Sequence, residues 1–282
     1  MRRIALLSTV ALLAACGGDS ASTGTGYLRV AHLSLGGPAV DFCWAPQGST
    51  TFTGPAMRTP VVPVASPTGL AYSSVSRYFA LDAGAYTVRV VPFATGSCAA
   101  VVPGFADVAV TVGSAGYYTV AAAGVISQAA PANPQLKSFT DAFTPDPAKV
   151  IIRFLNAVPG PTALDIGTGT PAAFTPLFDN LTFLGLATAT PPVNSIGYAI
   201  VAPSGFAPPI VLTTCVHGQP RTAQTCPISV TLTADQAASI KGGTVASAFL
   251  VPTLTGGELV LCGDSVGTVP GTNLSACVVK GP

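Results

Sequence analysis

Leu28-Arg-Val-Ala-His-Leu-Ser-Leu-Gly-Gly-Pro-Ala-Val-Asp-Phe42 returns without a gap 124 positions later as Ile152-Arg-Phe-Leu-Asn-Ala-Val-Pro-Gly-Pro-Thr-Ala-Leu-Asp-Ile166. Arg29 falls on Arg153, His32 on Asn156, Gly36 on Gly160, Ala39 on Ala163 and Asp41 on Asp165. Self-similarity at a fixed offset marks a repeated structural unit. An offset this long is the length of a domain, so the chain reads as two tandem copies of one small fold. Around each copy the pattern is strand-like. Tyr27–Leu33 alternates in part and is broken at Gly36-Gly-Pro38. Ala39–Trp44 then places Val40, Phe42 and Trp44 on one face, with Asp41 and Cys43 on the other.

At 282 residues each copy is long enough to bury its own core. Hydrophobic residues make up 49% and charged residues 8%, against about 25% charged in an ordinary globular protein, which excludes charge-driven disorder. Gly 30 and Pro 26, scattered among Val, Thr and Ser, suit short strands and frequent turns better than long helices. The net charge is +1 and becomes about −1 without Arg2 and Arg3. Such a balance offers no footprint for nucleic acid.

The strand signals continue along the chain. Ala71–Leu81 and Ala85–Val91 flank Asp82-Ala-Gly84, and Val108–Val112 and Tyr117–Ala123 flank Gly113–Gly116; both pairs read as hairpins. Ala45–Thr68 reads as a long decorated loop, and Ser127–Pro147, with four prolines, as a semi-rigid linker. In the second copy Tyr198–Ala202 is aligned with the Tyr86 strand, and Ile228–Leu232 with Val108–Val112. Thr233-Ala-Asp-Gln236 has the form of a capping box ahead of a short helix ending near Gly242. The expected fold is all-β: two tandem immunoglobulin-like β-sandwich domains.

Arg2 and Arg3, the apolar run Ile4–Leu13 and Leu13-Ala-Ala-Cys16 form a signal-peptide layout too short to span a membrane. Leu-Ala-Ala-Cys resembles the bacterial lipobox. The resemblance implies cleavage before Cys16 and its lipidation, which anchors the chain to a membrane. Gly17 in place of Asp favours an outer-membrane address. The expected organisation is a signal peptide over 1–15, a lipidated tether over 16–26, a first sandwich over 27–127, a linker over 128–147 and a second sandwich over 148–282.

The six cysteines beyond Cys16 are expected to form disulfides behind a secretory leader. Cys43 and Cys98 are alone in the first copy, which gives Cys43–Cys98. Cys215, Cys226, Cys262 and Cys277 allow three pairings, of which Cys215–Cys226 and Cys262–Cys277 close short loops worth roughly 3 kcal/mol each. Metal binding at Cys215 and His217 is the rival reading, but no C-x-x-C half-site accompanies it.

Leu28–Ser34, Pro38-Ala-Val-Asp41 and Leu81-Asp-Ala-Gly-Ala-Tyr-Thr-Val-Arg-Val90 resemble the bacterial "domain of unknown function 4397" family. The resemblance covers roughly 27–127; over 148–282 Val158-Pro-Gly-Pro161 replaces the family's usual Ser-Pro-Asp. It implies a sandwich fold, tandem domains and an envelope address, and carries no catalytic residue with it.

Chemistry is sparse. Gly263-Asp-Ser-Val-Gly267 has the G-x-S-x-G form, but no histidine follows Ser265, and Pro270 and Gly271 argue against the helix that a nucleophile elbow requires. The two histidines, His32 and His217, lie in different copies. A hydrogen bond to a nearby loop accounts for His32 and Asn156. Bridges from Arg29 to Asp41 and from Arg153 to Asp165 account for those matched pairs, with a calcium site as the sharper rival. Trp44, Tyr72, Tyr78, Tyr117 and Tyr118 read as core, or alternatively as a sugar platform. Asn180-Leu-Thr and Asn273-Leu-Ser match sequons of little weight in a bacterial lipoprotein. The expectation is therefore a non-enzymatic envelope protein without catalytic residue, metal or cofactor. Its partners would be the membrane, through its lipid, and an unknown envelope protein or glycan.

Overall fold

The computed structural model describes residues 24–58, 69–141, 144–160, 162–187, 193–206, 209–234, 237, 240–253, 256–264 and 277–280. Cys16 with the leader and most of its tether, the 59–68 part of the long loop, Gln236, Ser265 and Asn273 lie outside the described residues.

The first copy contains β1 (Thr25–Leu35), β2 (Val40–Pro46), β3 (Ser74–Val75), β4 (Phe79–Asp82), β5 (Gly84–Pro92), β6 (Val108–Val112), β7 (Tyr117–Val125) and β8 (Gln135–Asp141). The second contains β9 (Val150–Asn156), β10 (Leu164–Thr168), β11 (Thr175–Leu181), β12 (Tyr198–Val201), β13 (Val211–Val216), β14 (Ile228–Thr231), β15 (Val245–Thr253), β16 (Gly256–Gly263) and β17 (Cys277–Lys280). Four sheets result. Outer sheet β2-β5-β6 covers inner sheet β3-β1-β7-β8, in which β4 also pairs with β1. Inner sheet β12-β9-β15-β16-β17 is covered by outer sheet β11-β10-β13-β14. The chain is all-β in two tandem immunoglobulin-like sandwiches.

Three apolar layers separate the four sheets. Leu28, Val30, Phe42, Trp44, Val88 and Val120 fill the first sandwich, and Ile152, Phe154, Ile166, Phe178 and Leu250 fill the second. Between the inner sheets lies a third layer that includes Ala31, Leu33, Ala121, Leu155, Phe249 and Val251. Each inner sheet is thus buried on both faces. This is why β1 and β9 read as nearly continuous apolar runs with only partial alternation. In each copy the first long strand runs parallel to a later one: β1 with β7, where Arg29 sits opposite Thr119, and β9 with β15, where Arg153 sits opposite Ser247.

Several sequence expectations are corrected. Neither proposed hairpin exists. β4 pairs with β1 whereas β5 pairs with β2 and β6, and β6 pairs with β5 whereas β7 pairs with β1 and β8. A chain crossing from one sheet to the facing one keeps its apolar residues toward the same core, so alternation around a glycine turn does not distinguish the two geometries. The 128–147 linker contains β8, which pairs with β7 from Ala123–Gln135 to Tyr117–Asp141. Its prolines sit on either side of a proline-free strand. The Tyr198 strand answers the Tyr78 end of β4 rather than Tyr86, since Tyr198 lies opposite Arg153 as Phe79 lies opposite Leu28. β1 begins at Thr25, inside the expected tether. At the expected short helix the Ala237 N–H bonds the Thr233 carbonyl at 2.9 Å, one helical turn.

Candidate functional site

The matched aspartates do not meet the matched arginines, because they lie on outer-sheet strands while the arginines face the layer between the inner sheets. Asp41 Oδ1 accepts the backbone N–H groups of Phe42 and Met57, each at 2.7 Å. Asp165 Oδ1 accepts the N–H of Asn180 at 2.9 Å. Each aspartate thus accepts a backbone N–H from a segment 15 or 16 positions further on, Met57 in the turn after β2 and Asn180 in β11.

Arg29 and Arg153 are completely buried and meet across the repeats. Arg29 Nη1 lies 2.6 Å from Asp264 Oδ1, and Arg153 Nη2 pairs with Asp141 Oδ1. Each guanidinium stands 4.7 Å over a tyrosine ring, Tyr78 for Arg29 and Tyr198 for Arg153. Each carboxylate accepts one small hydroxyl at 2.6 Å: Thr119 donates to Asp141, and Ser247 to Asp264. Tyr78 donates to Asp141 at 2.7 Å and Tyr198 to Asp264 at 3.2 Å. Arg29, Tyr78, Thr119 and Asp141 therefore correspond one by one to Arg153, Tyr198, Ser247 and Asp264, with each arginine reaching the other copy's aspartate. Burial opposes ionisation of Asp141, but Arg153 and Arg29 outweigh it and hold the carboxyl below its ordinary range. Burial, reinforced by the Asp141 charge, pushes Asp264 up despite Arg29. The sequence carried one signal for these acids: Asp141 and Asp264 follow the matched arginine of their own copy, Arg29 and Arg153, by 112 and 111 positions.

A second ionic cluster lies on the outer sheet of the second copy. His217 Nδ1 is 2.7 Å from Asp165 and 2.9 Å from Asp179, and Arg221 Nη2 is 2.5 Å from the other oxygen of Asp165. The Cys215–Cys226 disulfide closes the loop that carries His217 and Arg221. Burial opposes ionisation of Asp165, but its bonds from Asp179, Asn180, Arg221 and His217 bring its pKa down to about 2. Asp165, Asp179 and His217 place three ligand-type atoms within 4.8 Å of one another. His217 Nδ1 faces both carboxyl groups, Arg221 takes the other oxygen of Asp165, and the contact between Asp165 and Asp179 pushes the Asp179 carboxyl up, so the groups form a linked ionic network. Cys215, tied into its disulfide, is not available as a fourth ligand.

His32 Nε2 lies 3.1 Å from the Pro38 carbonyl, and at the matched position Asn156 donates to the Leu181 carbonyl at 3.2 Å. Burial pushes the His32 pKa down to about 4 against the pull of the Pro38 carbonyl. A folded pKa below the unfolded value of about 6.5 means that the unfolded chain binds more protons between the two. This contribution is therefore complete above about pH 6.5 and falls with pH toward 4, by up to about 3 kcal/mol. His32→Asn, which copies Asn156, is expected to remove that slope. Urea midpoints of both proteins at pH 7 and about pH 4.5 check it.

Of the aromatic residues singled out in the sequence, Trp44 is buried, and Tyr72, Tyr78, Tyr117 and Tyr118 are half-buried. Trp44 is 6% exposed and packs on Phe79. Tyr27 and Tyr117 stack face to face at 4.7 Å, with Tyr78 edge-on to Tyr117 at 5.3 Å. The Tyr72 hydroxyl donates to the Pro252 carbonyl of the other repeat. Among the described residues the bonded partners of the two imidazoles are Pro38 for His32 and Asp165 with Asp179 for His217, and no serine is among them. The sulfur atoms are joined as Cys43–Cys98, Cys215–Cys226 and Cys262–Cys277.

Residues 26–167 match the family described as Domain of unknown function (DUF4397). The chain belongs to this family. The DUF4397 match runs through β8 and on to β10, so it includes the strand hidden in the proline-rich stretch. Among curated proteins nothing matches the chain at a significant level. Two solved structures are similar over much of its length. A Streptococcal ancillary pilin is 13% identical with a TM-score of 0.19, covering 78% of this chain and 61% of the pilin chain. The chain thus spans less than two thirds of that pilin. A fimbrial assembly protein from Parabacteroides distasonis is 9% identical with a TM-score of 0.23, covering 86% of this chain and 96% of the other.

Proposed function

We propose that this DUF4397 protein is a non-enzymatic cell-envelope protein, anchored to the outer membrane through lipid on Cys16, with a structural or adhesive role. The observation that carries the reading is that six cysteines close three disulfides, one in the first copy and two in the second. A chain built on such bonds suits an oxidising compartment. The leader and its Leu-Ala-Ala-Cys16 supply the address. Two sandwiches joined by a buried layer make a rigid support, and recognition of an envelope protein or glycan would fall to exposed loops, such as the one that follows β2. Nucleic acid is not a partner on this reading. The alternative, a carbohydrate-binding module, calls for a solvent-facing Trp44 or tyrosine row; the burial of Trp44 favours the first reading.

Fractionation and intact mass test the proposal. The wild-type chain is expected in the outer-membrane fraction, with a mass that begins at acylated Cys16 and gains six protons on reduction. Cys16→Ser is expected to release it from the membrane. An unlipidated wild-type chain, or free thiols among the six, would overturn the envelope assignment.

A further inference from the structure

The contact between the repeats has the construction of a docking surface. No strand ladder crosses it among the described residues: β1 to β8 pair only with one another, as do β9 to β17. What crosses is side-chain chemistry, namely the two reciprocal ion pairs, Arg153 on the Thr140 carbonyl at 2.8 Å, Tyr72 on Pro252, and the shared apolar layer. The covalent tie is slight. Residues 144–149 are exposed, and the Asp146 carbonyl already accepts the Gly243 N–H of the second repeat at 2.9 Å. Only residues 142–145 separate β8 from that attachment. A short connection between units that each hold their own core favours exchange between chains.

The partner that fits this face can be read from residue size. Ala31 and Ala121 are paired in register on the first repeat, and Leu155 and Phe249 hold the equivalent pair on the second. Two first repeats face to face would satisfy the charges, since the cluster is self-complementary, but would leave the volume of the Leu and Phe side chains unfilled. Two second repeats would crowd it. We propose that the first repeat of one chain docks on the second repeat of another copy through this same face, giving an exchanged dimer in which Arg29 of each chain meets Asp264 of its partner. The inference stands on the geometry of the interface and holds whatever the protein's address. Exchange keeps every contact and gives up only the local concentration that the hinge supplies, on the order of millimolar.

The test uses the full chain. Deleting Thr144 and Pro145 is expected to double the mass found by light scattering at micromolar concentration. Shortened chains carrying Tyr72→Cys and shortened chains carrying Pro252→Cys, refolded together with the native disulfides intact, should then give a product of two chains with a short thiol cross-linker. The same two substitutions in the chain of natural length, which does not depend on the deletion being tolerated, should give that product in a yield rising with the concentration at refolding. Its absence at every concentration, or a dimer whose two new cysteines resist cross-linking, would overturn the proposal.

Discussion

Asp141→Ala is expected to cost about 3–5 kcal/mol of folding stability, because it leaves buried guanidinium charge without its counter-ion. Asp141 is the hub of the interface. It pairs with Arg153, lies 3.8 Å from Arg29 Nε, and accepts the hydroxyls of Thr119 and Tyr78. Both arginines are fully buried, so water cannot take over the lost interaction. At about 2–4 °C per kcal/mol for a chain of this size, the melting temperature should fall by roughly 10 °C. The form of the transition carries as much information as its midpoint. Ala31, Leu33 and Ala121 share one apolar layer with Leu155, Phe249 and Val251, so the intact protein should unfold in one step, whereas Asp141→Ala should loosen the two sandwiches and separate their transitions. A contrasting variant guards against a merely damaged fold. Replacing Arg29 and Asp264 together by Met and Leu removes a pair and leaves no lone charge, and that exchange is often neutral or better. Calorimetry on both variants settles it: equal losses would mean that the cluster acts through packing and not through charge.

The sequence disclosed the repeat, the all-β class and the matched arginines, and it did so for a physical reason. Registers that bury a face must be repeated when the fold is repeated, so Arg29 and Arg153 stand at equivalent places whatever they touch. Their partners were hidden because Asp141 stands in a proline-rich stretch that reads as connection, and Asp264 inside a G-x-S-x-G pattern that draws attention to its serine. Contacts between repeats leave no local period. The same limit explains the false hairpins, since alternation reports which face is buried and not which neighbour a strand bonds. It also explains the outer cluster. Asp165 was visible through its match to Asp41, but Asp179 and Arg221 have no matched acid or base in the first copy and come together only through the fold of their loops. Composition told the partition of the cysteines between copies, and with it the closed loop of the first one.

That loop carries the other large effect. Cys43 and Cys98 are 55 residues apart, against 11 for Cys215–Cys226 and 15 for Cys262–Cys277. A cross-link stabilises chiefly by narrowing the unfolded ensemble, and the gain grows with the logarithm of the loop it closes. The expected loss is about 4 kcal/mol for Cys43→Ala with Cys98→Ala, and about 3 kcal/mol for the pair at 215 and 226. The native side does not add to this difference: Cys43 is wholly buried in β2, but Cys215 is wholly buried as well, so alanine leaves a small void in either variant. At the Cys98 end Arg89 donates to the Cys98 carbonyl at 3.2 Å, pairs with Asp107 at 2.7 Å and stands 4.0 Å over Phe52. The folded loop should therefore keep its place without the bond, and the loss should come from the unfolded chain. Urea titrations of the two double variants separate these contributions. The long-loop variant should show the lower midpoint, with a slope raised by its freer unfolded chain. A reversed order of midpoints would mean that the short loop, which carries His217 and Arg221 to Asp165, is held by its disulfide in the folded state, and that the ion-pair network there does not stand alone.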